Sequence, residues 1–80
     1  GYFTMKNSVS KLFTENLNNR MDELHWTAVK VANNCSLSRN TINSLREGKA
    51  KMIKFSTIAE LCKALYVHPS YFFKENQYHD

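Results

Sequence analysis

Apolar residues recur along this chain at helical spacing. Val9, Phe13, Leu17, Met21 and Leu24 stand 4, 4, 4 and 3 positions apart, which keeps them on one face of a 3.6-residue period. They predict a first helix from about residue 8 or 10 to residue 24. Arg20 falls beside the stripe, with its stem along the core edge and its guanidinium in water. Further on, Val31 and Cys35 are spaced i, i+4, and Ile42 and Leu45 i, i+3. Between these pairs Asn33, Asn34, Cys35 and Ser36 interrupt the pattern with residues that bond locally to the backbone and accept turn conformations. Thr27 and Ser38 are N-cap candidates, because a hydroxyl there can accept from an orphan backbone N–H of the first turn. Gly48 is placed to end the second of these short helices in the left-handed conformation. Residues 27–48 therefore predict two short helices joined by a tight turn.

The following segment, KAKMIKF, has no strong helical period and reads as a loop, with Met52 and Ile53 tucked onto the core and Phe55 as a hydrophobic plug. A fourth helix is expected from residue 56 or 57. Thr57 and Glu60 form a T-x-x-E capping box, and Ile58, Leu61, Cys62 and Leu65 make a complete inward stripe. Tyr66 and Val67 turn the chain. His68 is then a cap, and Pro69 occupies the first helical position, where its missing N–H costs nothing. A short fifth helix over residues 69–74 would carry Tyr71, Phe72 and Phe73. Three consecutive aromatics cannot all enter one small core, so at least one should be exposed, and the three are expected to form a dimer or partner surface. No strict alternation predicts a sheet. The expectation is an all-α, five-helix domain over residues 8–74. Residues 1–7 read as a scar of expression cloning followed by a flexible N-terminus, since Met5 opens a plausible natural start, and residues 75–80 as a flexible tail.

With Ile42 and Leu45 facing inward, the predicted third helix turns Arg39, Asn40, Asn43, Ser44 and Arg46 outward. Such a face is ordinary for a solvated helix, but Arg and Asn also match the hydrogen-bonding edges of guanine and adenine in the major groove. Charge placement adds to this. The formal charge of the 80 residues is +4. Between residues 27 and 54, Lys30, Arg39, Arg46, Lys49, Lys51 and Lys54 face Glu47 alone, whereas the rest of the chain holds five basic and six acidic residues. The excess positive charge is thus confined to the two short helices and the segment after them, as a polyanionic partner requires.

Other chemistries fare poorly. Cys35 and Cys62 lie on apolar faces outside any C-x-x-C pair, and His25, His68 and His79 complete no zinc spacing. No nucleophile has a nearby base, and no paired carboxylates share a recessed face. No catalytic residue, metal or cofactor is expected. Nor is there a membrane span or signal-peptide core.

The chain resembles the helix-turn-helix domains of the phage repressor and Cro-like (XRE-type) family over about residues 13–73. The resemblance rests on FTENLNNRMDELHWT, SLSRNTINSLREGKA and IAELCKALYVHPSYFF together. The family's small residue in the first helix of the motif falls on Ala32, and its apolar positions on Val31, Cys35, Leu37, Ile42 and Leu45. Three positions depart from the pattern. Ala28 replaces a glutamine that fixes a phosphate, Ser36 replaces the glycine of the turn, and Arg20 stands at an apolar position of the opening helix. The resemblance implies a lambda-repressor-like fold and a sequence-specific, double-stranded DNA-binding regulator, a repressor working as a dimer on a palindromic operator. It implies base contacts by Arg39, Asn40, Asn43 and Ser44, and phosphate contacts by Thr27, Lys30, Arg46, Lys49, Lys51 and Lys54. Arg46 has Glu47 and Asp22 as alternative partners. The same fold also serves antitoxins, for which Tyr71, Phe72 and Phe73 would face a toxin. A cytoplasmic protein of prokaryotic or phage origin is expected.

Overall fold

The computed structural model describes residues 1–75. Its elements, in order, are β1 (Tyr2–Thr4), α1 (Asn7–Leu24), α2 (Ala28–Asn33), α3 (Arg39–Arg46), β2 (Met52–Lys54), α4 (Phe55–Leu65) and a 3-10 helix (Pro69–Phe73). The tail expected over 75–80 lies, from residue 76 on, outside the described residues. Four α-helices and one 3-10 turn replace the five helices expected. The mostly helical class holds.

The periodic stripes form the core. Phe13, Leu17 and Met21 of α1 are fully buried with Val31 of α2, Ile42 of α3, and Leu61 and Leu65 of α4. Each such side chain contributes about 1.5–3 kcal/mol by leaving water. Ala64, which the stripe of α4 omitted, is also buried, whereas Cys62 is only half-buried. Phe72 completes the core by stacking on Phe13 at 4.8 Å between ring centroids.

The sheet was not expected. β1 runs antiparallel to β2, with Tyr2 opposite Lys54, Phe3 opposite Ile53 and Thr4 opposite Met52. The Met5 N–H donates to Lys51 O at 2.8 Å, and the Phe55 N–H donates to Gly1 O at 3.1 Å. Residues set aside as a scar and a flexible N-terminus thus belong to the fold, and the proposed loop at 52–54 is a strand. Three-residue strands are too short for period-two alternation to be recognised. Phe3 and Ile53 face the core, while the residues flanking them on each strand face out.

That strand also corrects the reading of the three aromatics. None of Tyr71, Phe72 and Phe73 is exposed: Phe72 is fully buried and its neighbours are half-buried. Phe3 meets Phe73 edge-on at 5.3 Å and supplies cover that the helical pattern could not anticipate. Phe55, expected as a plug, is instead 56% exposed at the first position of α4.

Several helix ends are fixed from a distance. The capping box at the start of α4 is not made; no side chain caps that terminus, and the Glu60 carboxylate accepts from the Ser36 N–H instead, at 3.1 Å. Arg20 is not the wet guanidinium expected. Its Nε donates to Leu65 O at 2.8 Å and its Nη1 pairs with Glu23 at 3.1 Å, so it ties α1 to the end of α4. Fully buried Asn16 donates from Nδ2 to Phe72 O and Lys74 O at 3.0 and 2.9 Å. The expected cap at His68 is made, with Nδ1 accepting from the Ser70 N–H at 3.2 Å. α1 and α4 end at His25 and Tyr66 with φ of 57° and 60°, a left-handed conformation unusual outside glycine.

Candidate nucleic-acid interface

α2 and α3 have six and eight residues, too few to persist alone in water. Their starts are set locally. Thr27 Oγ1 accepts from the Lys30 N–H at 3.2 Å, and Ser38 Oγ accepts from the Thr41 N–H at 3.1 Å. Both predicted caps are therefore present. Val31, Ile42 and Leu45 bury the inner faces. Cys35 and Leu37 pack against the core from the turn.

The turn between them is built without a left-handed residue at Ser36, since the positive-φ positions among the described residues are His25, Gly48 and Tyr66. Local bonds shape it instead. Asn34 Nδ2 donates to Lys30 O at 2.8 Å and Cys35 Sγ to Val31 O at 3.3 Å. Glu60 then clasps the Ser36 N–H from α4. Gly48 does adopt φ 72° after α3, which only glycine does at little cost.

The far end of α3 is held by α1. Thr14 Oγ1 donates to Leu45 O at 3.0 Å, and Asn18 Nδ2 donates to Arg46 O at 3.1 Å. Arg46 Nε donates in turn to Asn18 Oδ1 at 2.6 Å. These bonds satisfy carbonyls that the helix leaves orphaned. Arg46 therefore pairs with neither Glu47 nor Asp22. Glu47 sits 3.0 Å from Lys49 in an exposed ion pair, a weak interaction in water.

With its inner face and C-terminal end committed, α3 presents Arg39, Asn40 and Ser44 to solvent, and Asn43 half-buried beside them. The four base-contact candidates thus share one outward side. Around them Thr27, Lys30, Lys49, Lys51 and Lys54 are exposed, whereas Arg46 is half-buried. The lysines do not form one cluster. Lys30 lies over the Trp26 ring at 5.4 Å, on the α2 side. Lys54 lies over the Tyr2 ring at 5.8 Å, on the sheet side. Trp26 is half-buried and meets Tyr66 edge-on at 6.4 Å. Thr14, Asn18 and Glu60 were not singled out for their role in holding the motif, and no local pattern could have marked them, because each acts on an element at least 24 positions away.

Among the described residues, no helix is long and apolar enough to cross a membrane. No curated protein and no solved structure matches the chain significantly. A family model does, over residues 16–74, and the match spans the whole motif together with the second half of α1, α4 and the 3-10 helix. With that match and this geometry, the chain belongs to the family of Cro/C1-type HTH DNA-binding domains.

Proposed function

We propose that the chain is a sequence-specific regulator of transcription that binds double-stranded DNA and represses as a homodimer on a palindromic operator. The observation that carries this reading is the outward side of α3, polar throughout, in a segment whose exposed charges are Arg39, Lys30, Lys49, Lys51 and Lys54 against Glu47. The helix enters the major groove N-terminus first. Arg39 reads guanine, Asn40 and Asn43 read adenine, and Ser44 bonds to either. Lys30, Lys49, Lys51 and Lys54 neutralise phosphates. Thr27 keeps its hydroxyl proton for a phosphate oxygen while its oxygen caps α2. Arg46, tied to Asn18 through Nε, turns its terminal nitrogens to the backbone.

An eight-residue helix reads only a few base pairs, so two copies related by a two-fold axis are needed to define a site. Their contact uses the half-buried rims of Tyr71 and Phe73, with Phe72 reserved for the core. Repression follows from occupying a promoter, and needs no cofactor. The alternative role as an antitoxin would turn the same rims to a toxin instead of a second copy, and no specific observation favours it.

Selection of bound duplexes from a random pool tests the proposal. The expected product is a palindrome with half-sites about 10 bp, or a multiple, apart. No preferred sequence, together with loss of binding to genomic fragments near physiological salt, would refute it.

A further inference from the structure

Beside α3 runs a groove of about 410 Å³, floored by Leu45, Ala50 and Ile53. Thr41 and Ser44 line it on the helix side, and Tyr2, Met52 and Lys54 on the sheet side. Those three are among the outward-facing sheet residues, so the outer face of the sheet and one flank of α3 border the same space. Tyr2 and Met52 are 59% and 56% exposed. The core needs neither, because its share of the sheet is Phe3 and Ile53. The register sets Tyr2 directly opposite Lys54, whose ammonium lies over the ring. Lys51 stands just before the strand and Lys49 before that, while the acidic residue of the segment, Glu47, is already paired with Lys49. An apolar floor with one lysine, Lys54, at its lip complements a chain that alternates apolar sugars with charged phosphates.

We infer that this groove seats one sugar–phosphate strand of the duplex alongside the bases facing α3. The Tyr2 hydroxyl donates to a phosphate oxygen, Met52 lies against a deoxyribose, and Lys54 balances the charge. A tyrosine hydroxyl is a common donor to DNA phosphates and carries no sequence information. β1 thereby acquires a role in binding as well as in folding. The inference rests on α3 facing the bases, and its test separates the two.

Tyr2→Phe removes one oxygen and leaves the ring, the strand and the Lys54 contact in place. Affinity should fall about tenfold, as for loss of a hydrogen bond to a charged group, equally on the selected operator and on unrelated duplex. The slope of log affinity against log salt should not change, because no charge is lost, whereas Lys54→Ala should flatten it by about one. Thermal unfolding of Tyr2→Phe should match the parent. Parent-like affinity of Tyr2→Phe on both duplexes overturns the inference. So does altered self-association in sedimentation with DNA affinity intact, which assigns Tyr2 to a second copy of the chain. Asn40→Ala is measured in parallel. If it abolishes sequence preference while Tyr2→Phe is silent, only the groove assignment falls; if both are silent, the reading of α3 falls with it.

Discussion

The helix-turn-helix and the strand-bearing side of this domain are held in contrasting ways. α2 and α3 each begin with a hydroxyl that caps its own first turn, three residues on. α1 and α4 begin with no side-chain cap, and the start of α4 is fixed by the Gly1 carbonyl, 54 positions earlier. One region states its structure locally. The other is defined by contacts between distant segments: Phe3 with Phe73, Phe13 with Phe72, Asn16 with the end of the 3-10 helix. The starts of α2 and α3 are therefore specified within a few residues, while the frame that aims them depends on the whole chain.

The largest expected effect removes what both regions share. Leu45→Ala hollows the contact between α3 and the core and should cost about 2–5 kcal/mol in denaturant unfolding; near-parent stability would mean that α3 is rotated from the position described. Phe3→Ala tests the distant contacts alone. Half-buried, it should cost about 2 kcal/mol, less than a fully buried phenylalanine, and amide exchange should quicken in β1, β2 and the 3-10 helix before α2 and α3. Ser38→Ala tests the local side, with about 1 kcal/mol lost and fraying confined to the start of α3. Glu60→Ala, which frees the Ser36 N–H, should cost about 0.5–1 kcal/mol and blunt base discrimination. Glu60→Gln, still an acceptor, should restore most of it. The smallest effect concerns Cys62, whose thiol pKa burial raises above its usual value. Its folded form favours the neutral thiol, so this contribution is complete below the unfolded pKa and is lost as pH rises through the folded one. Stability should decline slightly above roughly pH 8.5, and Cys62→Ala should remove that decline.

The same contrast explains what could be read in the sequence. The inward stripes of α1, α3 and α4, both hydroxyl caps, the cap at His68 and the left-handed Gly48 all follow from neighbours within a few positions. The outward placement of Arg39, Asn40 and Ser44 follows from the burial of Ile42 and Leu45. The two-stranded sheet did not follow, because its strands are short and are separated by most of the domain. For the same reason at least one of residues 71–73 was expected at the surface, and the Arg20 guanidinium in water. Thr57 and Glu60 show a local signal losing to a tertiary one: the spacing of a capping box is present, but the carboxylate bonds across to the turn before α3. The left-handed ends at His25 and Tyr66 had no glycine to mark them.

The grip of Thr14 and Asn18 on the last carbonyls of α3 anchors that helix at its rear, so its aim is set from the end opposite the turn that Glu60 holds. Eight residues at a rise of 1.5 Å give a lever of about 12 Å, so tilting the anchor by roughly 10° swings the leading residues by about 2 Å. That is enough to exchange one hydrogen-bonding partner for the next. On the function proposed above, substitutions at these two positions on α1 would let the preferred operator drift while every side chain on the outward side of α3 stays the same.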